Sequence, residues 1–163
     1  MKRTVWIVLI LVAVLTGGYF YNKYRIAPSV EFQSIALTDL DGRPVRLSDF
    51  QQKKLVLNFF ETWCGPCVQE MPALEKAQER LRSSNFIFFS ISDEPLGRLR
   101  AFVHATNCGL TVLHSERKFH DLRIFTFPTN YVLNSTGQIV FKNTGVQNWD
   151  DEAMARKLED LCR

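Results

Sequence analysis

Cysteine and histidine are scarce, four and three in 163 residues, and what is missing around them narrows the chemistry. A structural zinc site needs four ligands, yet no second C-x-x-C and no C-x-H cluster accompanies Cys64 and Cys67. His104, His114 and His120 show no regular ligand spacing and read as surface or packing residues. No metal site is therefore expected. An excess of positive charge is lacking too, although the formal net charge is +3. Lys2, Arg3, Lys23 and Arg25 lie in the first 25 residues with no acid among them, and removing these four leaves 16 basic against 17 acidic residues. A basic nucleic-acid surface is excluded on that balance. Internal repeats and low-complexity stretches are absent, and 163 residues suit one domain with its own core.

Charge is absent altogether from Val5 to Tyr21, "VWIVLILVAVLTGGYFY". As a helix at ~1.5 Å per residue this run spans about 25 Å, the short end of a membrane crossing, with flanking lysines free to snorkel and Tyr19 and Tyr21 suited to the interface. The rival reading is a cleaved signal peptide, with Val5 to Leu15 as its apolar core and Thr16 with Gly18 as the cleavage site. No cysteine follows the run directly, which argues against a lipoprotein. Lys2 and Arg3 before the span predict a cytoplasmic N-terminus. The expectation is a single-pass protein of the cytoplasmic (inner) membrane, residues 1–25 forming the anchor and 26–163 a domain on the periplasmic or extracytoplasmic side. Disulfides persist in such a compartment.

After a polar linker at residues 22–31, "FQSIALTDLDGRPVRLSDF" predicts two short strands around Asp41-Gly42, a dipeptide suited to tight turns, with Ser48 as a cap. "KLVLNFF" and "NFIFFSIS" are apolar without alternation, as in strands covered on both faces. Met71, Leu74 and Leu81 recur at helical spacing after the cysteines, with Pro72 as a kink. A helix from Asp93 and Pro95 closed by Gly109, a strand "LTVLHS", a short helix "ERKFHDLRI", a hairpin around "STGQ" and a last helix packing Met154, Leu158 and Leu161 complete the order. Crossover helices between buried strands make this an α/β chain, a mixed central sheet flanked by helices.

Within "ETWCGPCVQEMP", Cys64 follows a buried strand and opens a helix. Its sulfur is expected beside unpaired N–H groups at the positive end of the helix dipole, which favours thiolate. Cys67, one turn further in, is within reach and less exposed, so attack falls to Cys64 and resolution to Cys67. "NFFETWCGPCVQEMPAL" together with "TFPTNYVLN" resembles the thioredoxin superfamily, and more closely its exported, membrane-anchored TlpA/ResA branch. The likeness runs over residues 30 to 163, including the leading hairpin and the helix and strand inserted near residues 95 to 115. The resemblance implies a thioredoxin-like fold and a redox-active Cys64–Cys67 disulfide with no other cofactor. It implies a cis bond at Pro128, with Phe127 offering backbone groups to a substrate peptide, and Trp63 as an aromatic surface over the disulfide. It makes Glu70, three residues beyond Cys67, the buried acid that takes the Cys67 proton. Thioredoxin proper has an aspartate where this chain has Asn58, and Asn cannot accept a proton, which leaves Glu70 alone in that role. Gly65-Pro66 matches the dipeptide of reducing thioredoxins. Cys108 and Cys162 are expected to stay unbridged.

The resemblance implies an extracytoplasmic protein-disulfide reductase acting as a monomer on disulfides of exported proteins and recharged by a membrane-bound thiol electron donor. Apocytochrome c thiols or copper-site assembly proteins are the candidate targets, although Thr129 stands where the cytochrome-maturation subgroup has an acid. The rivals are a thioredoxin-like metallochaperone, which would show CxxxC with a histidine, a thiol peroxidase and an interaction module with an idle disulfide. The peroxidase motif P-x-x-x-[ST]-x-x-C is not matched, since Glu61 and Leu57 occupy its Ser/Thr and Pro positions.

Overall fold

Strand Lys54–Phe59 (β3) sits in the middle of the sheet, and its side chains alternate between two separate apolar clusters: Val56 on one face, Leu55, Leu57 and Phe59 on the other. That is why its sequence reads as an unbroken apolar run, since neither face meets water. The computed structural model describes residues 2–25, 27–28, 30–32 and 35–163. The remaining strands are Leu37–Thr38 (β1), Pro44–Val45 (β2), Phe86–Ser92 (β4), Thr111–Ser115 (β5), Thr129–Leu133 (β6) and Ile139–Thr144 (β7). They form one seven-stranded sheet in the order β2-β1-β5-β4-β3-β6-β7. β3, β4 and β5 run parallel, while β6 and β7 on one side and β1 and β2 on the other are antiparallel to their neighbours. The hairpin of β1 and β2 turns at Gly42, whose φ of +84° is open to glycine. Gln33 and Ser34, at the front of that segment, lie outside the described residues.

Helices Gly65–Leu81 (α2), Leu96–Thr106 (α3) and Glu152–Leu161 (α4) cover one face, where Met71, Leu74, Leu99 and Leu158 pack with Val56, Phe88 and Val132. The opposite face is covered without helices, by Phe32, Ile35 and Leu47 from the N-terminal side and by Phe119, Leu122 and Ile124. The expected helix "ERKFHDLRI" is thus replaced by turns. Its amides bond back three residues, as in Asp121 to Lys118 and Leu122 to Phe119, and Arg123 at φ +60° ends the run before any i→i+4 ladder forms.

Two helix ends differ from expectation. α3 closes on Asn107 at φ +50°, while the Gly109 amide is tied to Glu75 Oε1 at 2.7 Å. Leu161 is exposed, and Ala155, Leu158 and Cys162 are the buried positions of the last segment. Ser48 caps nothing; the 3-10 turn Leu47–Phe50 starts at Arg46 without a side-chain bond. α2 runs through Pro72, which faces solvent.

Helix Lys2–Arg25 (α1) precedes the sheet, and it takes in residues assigned above to the linker. Within it, Arg3–Tyr21 is long and apolar enough to cross a membrane, and its side chains are exposed. The side chains of Lys2 and Lys23 lie outside the described set.

Candidate active site

Cys64 is the N-cap of α2, with extended φ and ψ of −79° and 96°, and its sulfur accepts the Cys67 amide at 3.3 Å. Pro66 enters the helix in its first turn, where its missing N–H costs nothing. The Cys64 amide closes a tight turn onto the Glu61 carbonyl at 3.0 Å. Cys64 and Cys67 are joined as a disulfide, Cα to Cα 5.3 Å. Both are buried, Cys67 more deeply than Cys64. The strand-to-helix junction therefore puts the first sulfur at the helix tip, and the register of one turn puts the second behind it.

The peptide bond Phe127-Pro128 is cis. The Gly145 amide takes the Pro128 carbonyl at 2.7 Å, and the Thr129 hydroxyl bonds the Thr126 carbonyl at 2.6 Å, so the loop entering β6 is held on both sides of the proline. Trp63 is 68% exposed and meets the Phe127 ring edge-on at 6.1 Å, and Phe127 in turn leans on Phe119. The tryptophan stands beside the cis-proline loop and presents most of its ring to solvent.

Glu70 is buried on α2, 3% exposed. Its Oε1 accepts the Gln147 amide at 2.6 Å and the Trp149 indole at 2.7 Å, while Oε2 is buried without a hydrogen bond. Burial pushes its carboxyl up to about 7, against the pull of the Gln147 and Trp149 donors and a weaker one from Asn130. Glu70 thus titrates in the neutral range.

Asn58 on β3 faces this same side. It pairs in register with Asn130 on β6 and Ser90 on β4, and its Nδ2 donates to Asn130 Oδ1 at 2.8 Å. The Ser90 hydroxyl lies 3.5 Å from Asn58 Oδ1. Three buried polar side chains thus lie across the strands, and the Asn130 amide at one end acts on Glu70.

Sequence reasoning missed five contributors: Gln147, Trp149, Asn130 and a pair of acids, Glu61 and Glu94. The acids are buried at the ends of β3 and β4, 4% and 7% exposed. Buried acids carry a local signal, charged letters directly after apolar strands, but the partner of each is distant in the chain. Burial, the hydrogen bond to Glu94 and the charges of Asp93 and Glu94 push Glu61 up to about 8 against the Ser92 bond. Burial alone would raise Glu94, yet the Thr62 amide and hydroxyl, the Glu61 bond and Arg98 outweigh it and hold it below the ordinary value.

Cys108 and Cys162 are free thiols, both pushed up by burial. Among the described residues, no group of three or more His, Cys, Asp or Glu is placed to hold a metal ion.

The chain is similar to known proteins over most of its length. The chain is 29% identical over 162 residues to the thioredoxin-like protein YneN of Bacillus subtilis, covering 94% of each chain. It is 27% identical over 157 residues to the thiol-disulfide oxidoreductase ResA of Geobacillus thermodenitrificans, covering 91% of this chain and 89% of that one. In structure it is similar to a Chlorobium tepidum protein provisionally assigned as the thiol:disulfide interchange protein DsbE, with a TM-score of 0.70 at 20% identity over 85% of this chain and 100% of the other. At that identity the likeness speaks for the thioredoxin-like fold alone. The sequence model of the AhpC/TSA family matches residues 27–142, more than half of the 163, and the chain belongs to that family.

Proposed function

We propose that this thiol-disulfide oxidoreductase, whose couple is Cys64–Cys67, works outside the cytoplasm on a membrane tether and reduces disulfides of exported proteins. The observation that carries the reading is the placement of Cys64: a sulfur at the open tip of α2, accepting a helix N–H at 3.3 Å, with Cys67 one turn behind it. The Cys67 N–H that donates to the sulfur in the disulfide would stabilise its thiolate on reduction.

In the reduced protein the Cys64 thiolate attacks one sulfur of a target disulfide. The target's S–S bond breaks, a mixed disulfide forms and the other target sulfur leaves as thiolate. Ionised Glu70 takes the proton from Cys67, whose sulfur then attacks Cys64. The second target sulfur leaves, and the Cys64–Cys67 bond closes. Two electrons have passed to the target, and a membrane-bound thiol donor must return two by the reverse exchange. Phe127 and Pro128 hold the target strand in β fashion: the Pro128 carbonyl is taken by Gly145, whereas among the described residues no hydrogen bond engages the Phe127 backbone. Trp63 supplies exposed aromatic surface beside it. The protein acts as a monomer, and its targets are apocytochrome c thiols or copper-site assembly proteins. α1, with Lys2 and Arg3 at its start, supports an uncleaved anchor that leaves the domain outside; a cleaved signal would export it equally.

Cys67→Ser tests the proposal. The variant should accumulate mixed disulfides through Cys64 with exported proteins, and the standard potential of the wild-type couple should be reducing. A strongly oxidising potential reverses the direction of electron flow, and peroxide consumption with a thiol donor would assign a peroxidase instead.

A further inference from the structure

The turn carrying Trp63 and Cys64 is held by Glu94 and Glu61, two residues whose carboxyls the disulfide chemistry above does not use. Glu94 Oε2 accepts the Thr62 amide at 2.6 Å, and its Oε1 accepts the Thr62 hydroxyl at 3.0 Å. Glu61 gives its carbonyl to the Cys64 amide at 3.0 Å. Ser92 touches both acids: its hydroxyl donates to Glu61 Oε2 at 3.2 Å and accepts the Glu94 amide at 3.2 Å. Ser92 thus joins the two residues, and each carboxyl shifts the titration of the other in the sense of a hydrogen bond between them. Such a bond requires one proton between the two carboxyls, since two carboxylates have no donor.

The surrounding charges decide which acid keeps it. Arg98, from α3, lies 3.3 Å from Glu94 Oε1 and favours the ionised form there. Lys118, from the turns after β5, is 3.5 Å from Asp93 Oδ1 and is spent on Asp93. Asp93 adds negative charge near Glu61, and no described cation pairs with Glu61. We infer that Glu61 and Glu94 form a proton-sharing latch that positions the Thr62–Cys64 turn: neutral Glu61 donates to ionised Glu94, and Glu94 grips Thr62. Both are positioning residues, since neither is placed to touch the target.

The latch rests on Cys64–Cys67 being the redox couple but on neither the direction of electron flow nor the target. When Glu61 ionises, Glu94 loses a donor and gains a like charge, so the bonds it accepts from the Thr62 amide and hydroxyl readjust. The couple itself does not titrate in the oxidised protein, because disulfide sulfurs carry no proton. The test is therefore an amide NMR titration of the oxidised full chain in detergent from pH 6 to 10. The Thr62 amide should shift with a midpoint near 8, and the Gln147 amide, which reports Glu70, near 7. In Glu61→Gln, which keeps a donor for Glu94, the Thr62 step should vanish and the Gln147 step remain. A wild-type Thr62 amide that does not move, or a Thr62 step that survives in Glu61→Gln, overturns the latch. The wild-type titration is decisive even if the variant folds poorly. It uses no substrate, so a failed reductase assay leaves the result standing.

Discussion

Trp149→Phe should raise the titration of Glu70, and the size of the rise follows from the bonds at Oε1. That oxygen takes two donors, the Gln147 amide at 2.6 Å and the Trp149 indole at 2.7 Å, and the substitution removes the second. A hydrogen bond to a charged group contributes ~1.5–3 kcal/mol, of which the neutral carboxyl retains part. At 1.36 kcal/mol per unit the differential is worth about one unit, moving the midpoint from about 7 to about 8. Phenylalanine keeps a ring against Phe88, which Trp149 meets edge-on at 6.5 Å, so the site stays filled in part. The assay is a carboxyl carbon NMR titration of Glu70 in the oxidised protein, where no cysteine in the couple titrates. A base must be ionised to act, so resolution of a mixed disulfide should slow about tenfold at pH 6, where the ionised fraction falls in proportion. A Glu70 midpoint that stays at 7 or falls in the variant refutes the assignment of the indole as a carboxylate donor.

Stability should fall as pH rises through the neutral range. Glu70 and Glu61 have folded values raised to about 7 and about 8, so the stability they contribute is complete below their ordinary value of 4.5 and is lost as pH passes 7 and 8. For Glu70 the loss is on the order of 3 kcal/mol, and Glu70→Gln should flatten that part of the melting-temperature profile between pH 5 and 9. Trp63→Ala should leave thermal stability within about 0.5 kcal/mol, because the ring is largely exposed. The same change should weaken protein targets by about thirtyfold, the scale of an aromatic anchor worth ~2 kcal/mol, and spare small disulfides; equal loss on both would show that Trp63 acts on the sulfur. Asn58→Asp removes the donor to Asn130 Oδ1, so the site should retain an additional proton at neutral pH and Glu70 should titrate higher; a lowered Glu70 midpoint would contradict the direction of the chain.

What the sequence made legible was whatever is written in neighbouring letters. The apolar runs of β3 and β4 and the two-residue spacing of Cys64 and Cys67 on a helix start are local. So is the turn at Gly42, and all three features appear where expected. The cis bond at Pro128 and the burial of Glu70, both implied by the resemblance, are present in the structure. The segment 116–124 defeated the periodicity argument because Phe119, Leu122 and Ile124 are buried on a chain of turns whose spacing imitates a helix. The donors on Glu70 were invisible for another reason. Gln147 and Trp149 are 77 and 79 residues away in the chain, and only the return of the strand pair β6 and β7 beside α2 brings them there. The same holds for Glu61 and Glu94, 33 positions apart yet joined because β3 and β4 end at the same level of the sheet.

Two buried acids, Glu61 before the couple and Glu70 after it, differ in what their carboxyls touch. Glu70 lies on the helix, on the side of Cys67, with one oxygen fixed by two donors and the other unengaged. A carboxylate so arranged has a free site for a proton without having to break a bond first. Glu61 lies before the couple, its carboxyl meets the Ser92 hydroxyl and Glu94, and its own proton is committed to Glu94. An acid whose proton is already engaged is a poor base but a good strut. Both acids are desolvated and both are raised, but their partners differ: Gln147 and Trp149 meet one oxygen of Glu70 and leave the other unengaged, whereas Glu61 meets Ser92 and Glu94, so in the proposed mechanism Glu70 is the acid open to the Cys67 proton.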